Sequence, residues 1–269
     1  MNNIVILVQL MGACSRAMLL TALNILLIGS VGVGAAYAAS LQTQGKVAQL
    51  ALQKPPVQSA GVAPDLLNKS VDLAKFQQAI ADDLSGRPSE ARSGYDALKQ
   101  TEMVAQIAVP SAINLVVLGR LDEAKLAFSG IALSKDSHEA SYAQLWLLWL
   151  TARENSGKAT LLRQQLGEMA RGFQMALPYQ QAIVDLYAGR GNADEVFKAI
   201  DAMPGNDELQ RRNALTEATF FAGGYLQYVK SNGNAALQLY QREQSHLNST
   251  SLELPLIEKA TATLMAVKH

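Results

Sequence analysis

Cysteine is nearly missing from this chain: Cys14 is the only one in 269 residues. That excludes an internal disulfide, so the fold must rest on packing, which a chain of this length supplies without staples. Charge is scarce as well. Charged residues make up 17% of the sequence, against about 25% in a typical globular chain. The 23 basic and 23 acidic residues cancel, so no surplus positive field gathers phosphates or acidic lipids, and nucleic-acid binding is disfavoured. The three histidines, His138, His246 and His269, fall in no metal-ligand spacing. There is no G-x-S-x-G, and Gly223-Gly224 follows no strand that would make it a phosphate cradle. Asp82 and Asp83, adjacent on a helix, point about 100° apart and read as a solvated face, not as a carboxylate pair sharing a proton. Strand signals are absent. The chain reads as a non-enzyme, with no cofactor, no metal and no catalytic residue expected.

What is present begins with an uncharged run. From Ala17 to Gly34 there is no charged residue, and the run closes on Ala36-Tyr37-Ala38. An apolar centre followed by an A-x-A end describes a cleavable secretory signal over residues 1–38, cut after Ala38. Met1 to Leu10 lacks Lys and Arg, whereas a start at Met11 would place Arg16 in the expected basic lead. Met11 is therefore expected to be the true start. The competing reading is an uncleaved segment anchoring the protein in the inner membrane. Lipid attachment at Cys14 is disfavoured, because a long apolar stretch follows it. Cleavage would leave a cysteine-free protein, which suits the bacterial periplasm. Residues 39–70, with Pro55-Pro56, Gly61 and Pro64, read as a flexible tether. The sequons at Asn68 and Asn248 are read as chance matches.

From Val71 to the end the chain reads as helix. Three glycines are followed at one offset by an acidic and a small or branched apolar residue: Gly86 by Glu90-Ala91, Gly119 by Glu123-Ala124, and Gly191 by Glu195-Val196. Gly86 and Gly119 lie 33 residues apart, and Gly191 lies 34 beyond Gly157. A period near 34 marks tetratricopeptide (TPR) helix–turn–helix units, none of which buries its apolar face alone. The expected fold is all-α, a TPR-like α–α superhelix of about five helix pairs, with a capping helix over Leu252 to Val267. Each glycine is expected to end a first helix in the left-handed conformation. Ser89, Asp122 and Asp194 are expected to cap the second helices. Ala79, Ala91, Ala112 and Ala124 are placed where paired helices cross. The fifth unit is stretched, since Gly191 and Gly233 lie 42 residues apart.

In such an array the first helices of successive units line a concave groove that clasps a partner's extended or helical segment. Phe76, Ile80, Val109, Ile113 and Val116 are the expected groove residues of the first two units. Tyr142, Trp146 and Trp149 lie on the most aromatic helix and are either partner anchors or the filling of the core. Phe220, Phe221 and Tyr225 divide the same way.

Two stretches, Leu145-Trp146-Leu147-Leu148-Trp149-Leu150 and Thr219-Phe220-Phe221-Ala222-Gly223-Gly224-Tyr225, carry a family likeness. The region from Tyr142 to about Tyr240 resembles the NlpI-type periplasmic TPR lipoproteins of Gram-negative bacteria. The chain departs from them at the lipid-bearing cysteine and in its longer last repeat. The resemblance implies an exported helical scaffold, often a homodimer, that brings a protease or cell-wall hydrolases to their targets. An accessory factor for pilus or secretin assembly is the alternative function, and a helical enzyme of unidentified type a more distant one.

Overall fold

The computed structural model describes residues 64–205 and 207–267. The signal peptide, the alternative start at Met11 and tether residues 39–63 lie outside the described residues. Residues Met1–Val71 and Asp72–His269 form two units, and the packing below belongs to the second.

Eleven α-helices make up the described residues. They are α1 (Pro64–Leu84), α2 (Pro88–Leu98), α3 (Val104–Val117), α4 (Leu121–Ile131), α5 (Ser137–Glu154), α6 (Ala159–Arg171), α7 (Pro178–Tyr187), α8 (Ala193–Asp201), α9 (Glu208–Gly224), α10 (Gly233–Glu243) and α11 (Leu254–Val267). No strand occurs among the described residues. From α2 to α11, helices adjacent in sequence pack on one another, as an array of helical hairpins requires. The helix α1 starts at Pro64, inside the stretch expected to be a tether. Proline is tolerated there because the first turn has no intrahelical acceptor for its missing N–H.

The turns within pairs follow the expected chemistry with two shifts. Gly86, Gly119 and Gly157 have φ of 74°, 76° and 89°, the left-handed region that an L side chain resists. In the fourth pair that conformation falls on Gly189 (φ 75°), not Gly191, and in the fifth on Ser231 (φ 51°), not Gly233. Gly233 opens α10 instead. The expected caps also move. Arg87 and Arg120 precede α2 and α4 without a side-chain cap, leaving Ser89 and Asp122 in the first turn. Asn192, not Asp194, caps α8 through a reciprocal box with Glu195.

The first three helices meet at a buried polar node. Asp83 on α1 accepts from Tyr95 Oη of α2 at 2.9 Å and from Asn114 Nδ2 of α3 at 2.7 Å. Asp82 accepts from Arg87 and Gln78. Both aspartates are therefore buried, contrary to the solvated face expected of them. Burial raises the Asp83 pKa to about 6 against the opposing pull of its two donors. Ala79, Ala91, Ala112 and Ala124 are all buried, as their small size at a crossing suggested. Gly94 lets α2 come closer still: a Cβ there would stand 2.9 Å from that of Ala79.

The third to fifth pairs depart from a simple array, in which each repeat touches only its neighbours. Here α5 of the third pair packs directly on α9 of the fifth, as well as on α7 of the fourth. Trp146 is the pivot. It stacks on Phe128 of α4, with centroids 5.1 Å apart and planes 5° apart, and meets Phe220 and Phe221 of α9 at 4.8 and 5.6 Å. Two glycines permit the approach. A Cβ on Gly224 would stand 2.3 Å from Trp149 Nε1, and one on Gly223 2.1 Å from the Tyr240 ring. Beyond Gly224 the helix relaxes into a π-helical turn, Tyr225–Val229, which aims Tyr225 at Tyr187 and Tyr228 at Trp149.

Candidate functional site

Most of the residues expected to line a groove are core. Phe76, Ile80, Ile113 and Val116 are buried, and Val109 is half-buried. The reason is the composition of α3, VAQIAVPSAINLVV, which has no charged side and is apolar nearly all round. Its innermost side chains meet the neighbouring helices, while Val104 remains 54% exposed. Trp146 and Trp149 take the core alternative, at 0% and 4% exposure. Phe220, Phe221 and Tyr225 are core too. Tyr142 alone of the aromatic trio is half-buried.

Tyr142 belongs to a different arrangement, built by the chain between α10 and α11. Residues 246–253 run along α9 as a strap. Arg212 donates to the carbonyls of His246 and Leu247 at 3.3 and 3.1 Å. The Asn248 N–H donates to Thr216 Oγ1 at 2.8 Å, and its side-chain amide donates to Asn213. Leu247 and Leu252 of the strap are buried. At its far end Glu253 accepts from Tyr142 of α5 and from Ser251.

The strap brings Glu253 beside a second carboxylate. Glu217 of α9 accepts from Tyr179 Oη at 3.1 Å and from Gln180 Nε2 at 2.9 Å, both on α7. Burial and the nearby Glu253 charge push the Glu217 pKa up to about 8, opposed by the Gln180 and Tyr179 hydrogen bonds. Glu217 nonetheless keeps partial contact with solvent, whereas Glu253, Tyr179 and Gln180 are 6%, 4% and 4% exposed. Tyr142 and Tyr179 are raised well above the ordinary tyrosine range by burial and then by the two glutamates. Gln180 Oε1 is buried without a hydrogen-bond partner. Four elements thus converge on two carboxylates, two phenols and a half-used amide.

Sequence reasoning passed over this cluster, although half of it was signalled. Glu217 sits three residues after Ala214 and four before Phe221, both buried, so a glutamate interrupts an apolar stripe of α9. Glu253 carries no such signal, because it lies in irregular chain where periodicity says nothing. Elsewhere, a hollow of about 320 Å³ between α8, the π-turn and α10 has Leu226 and Leu239 within it and exposed Asp194, Gln238 and Arg242 around it. Among the described residues no group of three or more His, Cys, Asp or Glu side chains is placed to hold a metal ion. No helix of the described residues is long and apolar enough to cross a membrane. Comparison of the sequence with protein-family models and with curated proteins gives no match.

Proposed function

We propose that the protein is an exported TPR-like scaffold that binds other cell-envelope proteins, and not a catalyst. The observation that carries this reading is the run of paired helices from α2 to α11, since stacked helical hairpins present extended faces suited to protein segments. The docking face belongs to the first two pairs. There the uncharged α3 keeps Val104 in solvent, with Val109 half-buried five residues further on. The corresponding helices α5 of the third pair and α9 of the fifth are turned on each other, and the strap runs along α9. Phe76, Ile80, Ile113 and Val116 then support the face from below. The partners are envelope proteins such as a protease, a cell-wall hydrolase or assembly machinery, with the protein itself single or paired as a homodimer.

The test is affinity capture from an envelope extract with the full chain and with Val104→Glu/Val109→Glu. A stoichiometric partner retained by the wild type and lost by the double variant supports the proposal. Equal capture by both, or no stoichiometric partner at low salt, counts against it.

A further inference from the structure

The glutamate cluster has a feature that ordinary folding does not account for: two carboxylates come together with no cation facing them among the described residues. From α5 the facing group is Tyr142, from α7 Tyr179 and Gln180, and from the strap Glu253 and Ser251. Arg212, on the same helix as Glu217, holds the strap's carbonyls instead. Carboxylates taken out of water are ordinarily paired. Here Glu217 answers the deficit by holding its proton near neutral pH. Gln180 adds a second, independent sign. Its side chain is 4% exposed, its Nε2 fixes Glu217, and its Oε1 is left as an acceptor with nothing to accept. One buried acceptor, Gln180 Oε1, is thus left over beside the two carboxylates, and the half-buried Glu217 and Tyr142 keep that place in partial contact with solvent.

We infer that the cluster of Glu217, Glu253 and Gln180 binds a primary alkylammonium group, carried by a lysine side chain or a free amine. An ammonium has three N–H donors and no acceptor, and the cluster offers three acceptor groups. The half-buried ring of Tyr142, whose hydroxyl donates to Glu253, offers the alkyl stem an apolar surface. A divalent metal fits less well, because hard cations take six or more oxygen ligands. This inference stands apart from the adaptor reading, since it concerns a small chemical group and a different face.

Binding is linked to proton release. The incoming cation replaces the Glu217 proton, so affinity rises about tenfold per pH unit below the Glu217 pKa and levels off above it. Titration calorimetry of the full chain with n-butylamine at pH 7, 8 and 9 tests this. The expected result is one-to-one binding that tightens about fivefold from pH 7 to 8 and about twofold from 8 to 9. The butyltrimethylammonium ion, which has no N–H, should bind at least tenfold more weakly. Glu217→Gln should lose both binding and pH dependence. Gln180→Leu, which keeps both carboxylates, should weaken binding severalfold while remaining folded by circular dichroism. Acetyl-Ala-Lys-Ala-amide in parallel separates the sources: tighter binding than butylamine identifies a lysine of a partner, and equal or weaker binding a free amine. No saturable binding at millimolar amine at any of the three pH values overturns the inference. So does equal binding by the wild type and Glu217→Gln.

Discussion

Glu217 shows how one side chain ties stability to pH. Its folded pKa of about 8 lies above the ordinary 4.5, so the native state holds a proton that the unfolded chain releases. The stabilisation from that proton is complete below about pH 4.5, declines as pH rises, and is gone above about 8. Urea denaturation at pH 5, 7 and 9 should show this decline in the wild type and a flatter profile in Glu217→Gln. A wild type as stable at pH 9 as at pH 5 would contradict the assignment. The glycines give a second test at this scale. Gly224→Ala drives a Cβ into the Trp149 indole and should cost about 1–3 kcal/mol by overpacking. Gly130→Ala, in α4 with nothing within 4 Å of the new Cβ, should stabilise by about 0.5–1 kcal/mol through helix propensity. Comparing the two variants' denaturant midpoints checks both signs. The sequence showed Gly223-Gly224 inside a helix but not why, because a glycine's partner across an interface leaves no local trace.

At the scale of elements, the α8 start is the best defined. Asn192 Oδ1 accepts from the Glu195 N–H at 3.1 Å, while Glu195 reaches back to the Asn192 N–H. Asn192→Ala should cost about 1 kcal/mol, whereas Ser89→Ala at the uncapped start of α2 should change stability by less than about 0.5 kcal/mol. Thermal unfolding of the pair separates them. Helix existence was legible: the spacing of Ala91, Tyr95 and Leu98, or of Ala124 and Phe128, repeats because each helix has one inward stripe. The turns were legible only to within two residues. Gly189 and Gly191 are both glycines after the same stripe, and nothing local decides which takes the positive φ. Ser231 carries that conformation without being glycine, so composition gave no hint.

On the scale of the second unit, a repeat period predicts neighbours and says nothing of closure. The period near 34 anticipated paired helices, but a regular array keeps the third and fifth pairs apart. Their contact comes from bulk and its absence at matched places: Trp146 and Trp149 on α5 against Phe220, Phe221 and two glycines at the end of α9. The strap completes it, and there long-range hydrogen bonds such as Tyr142 to Glu253 defeat any reading by period. The two proposals follow the same division, docking at α3 and ammonium binding at the closed end.

The contact between α5 and α9 is the claim on which that division depends. Nuclear Overhauser measurements between the Trp146 indole and the Phe220 and Phe221 rings test it most directly. Strong cross-peaks from Trp146 to both rings are expected at centroid separations of 4.8 and 5.6 Å. Their absence, in a folded sample that shows the Trp146 to Phe128 cross-peak, would mean that the third and fifth pairs stand apart.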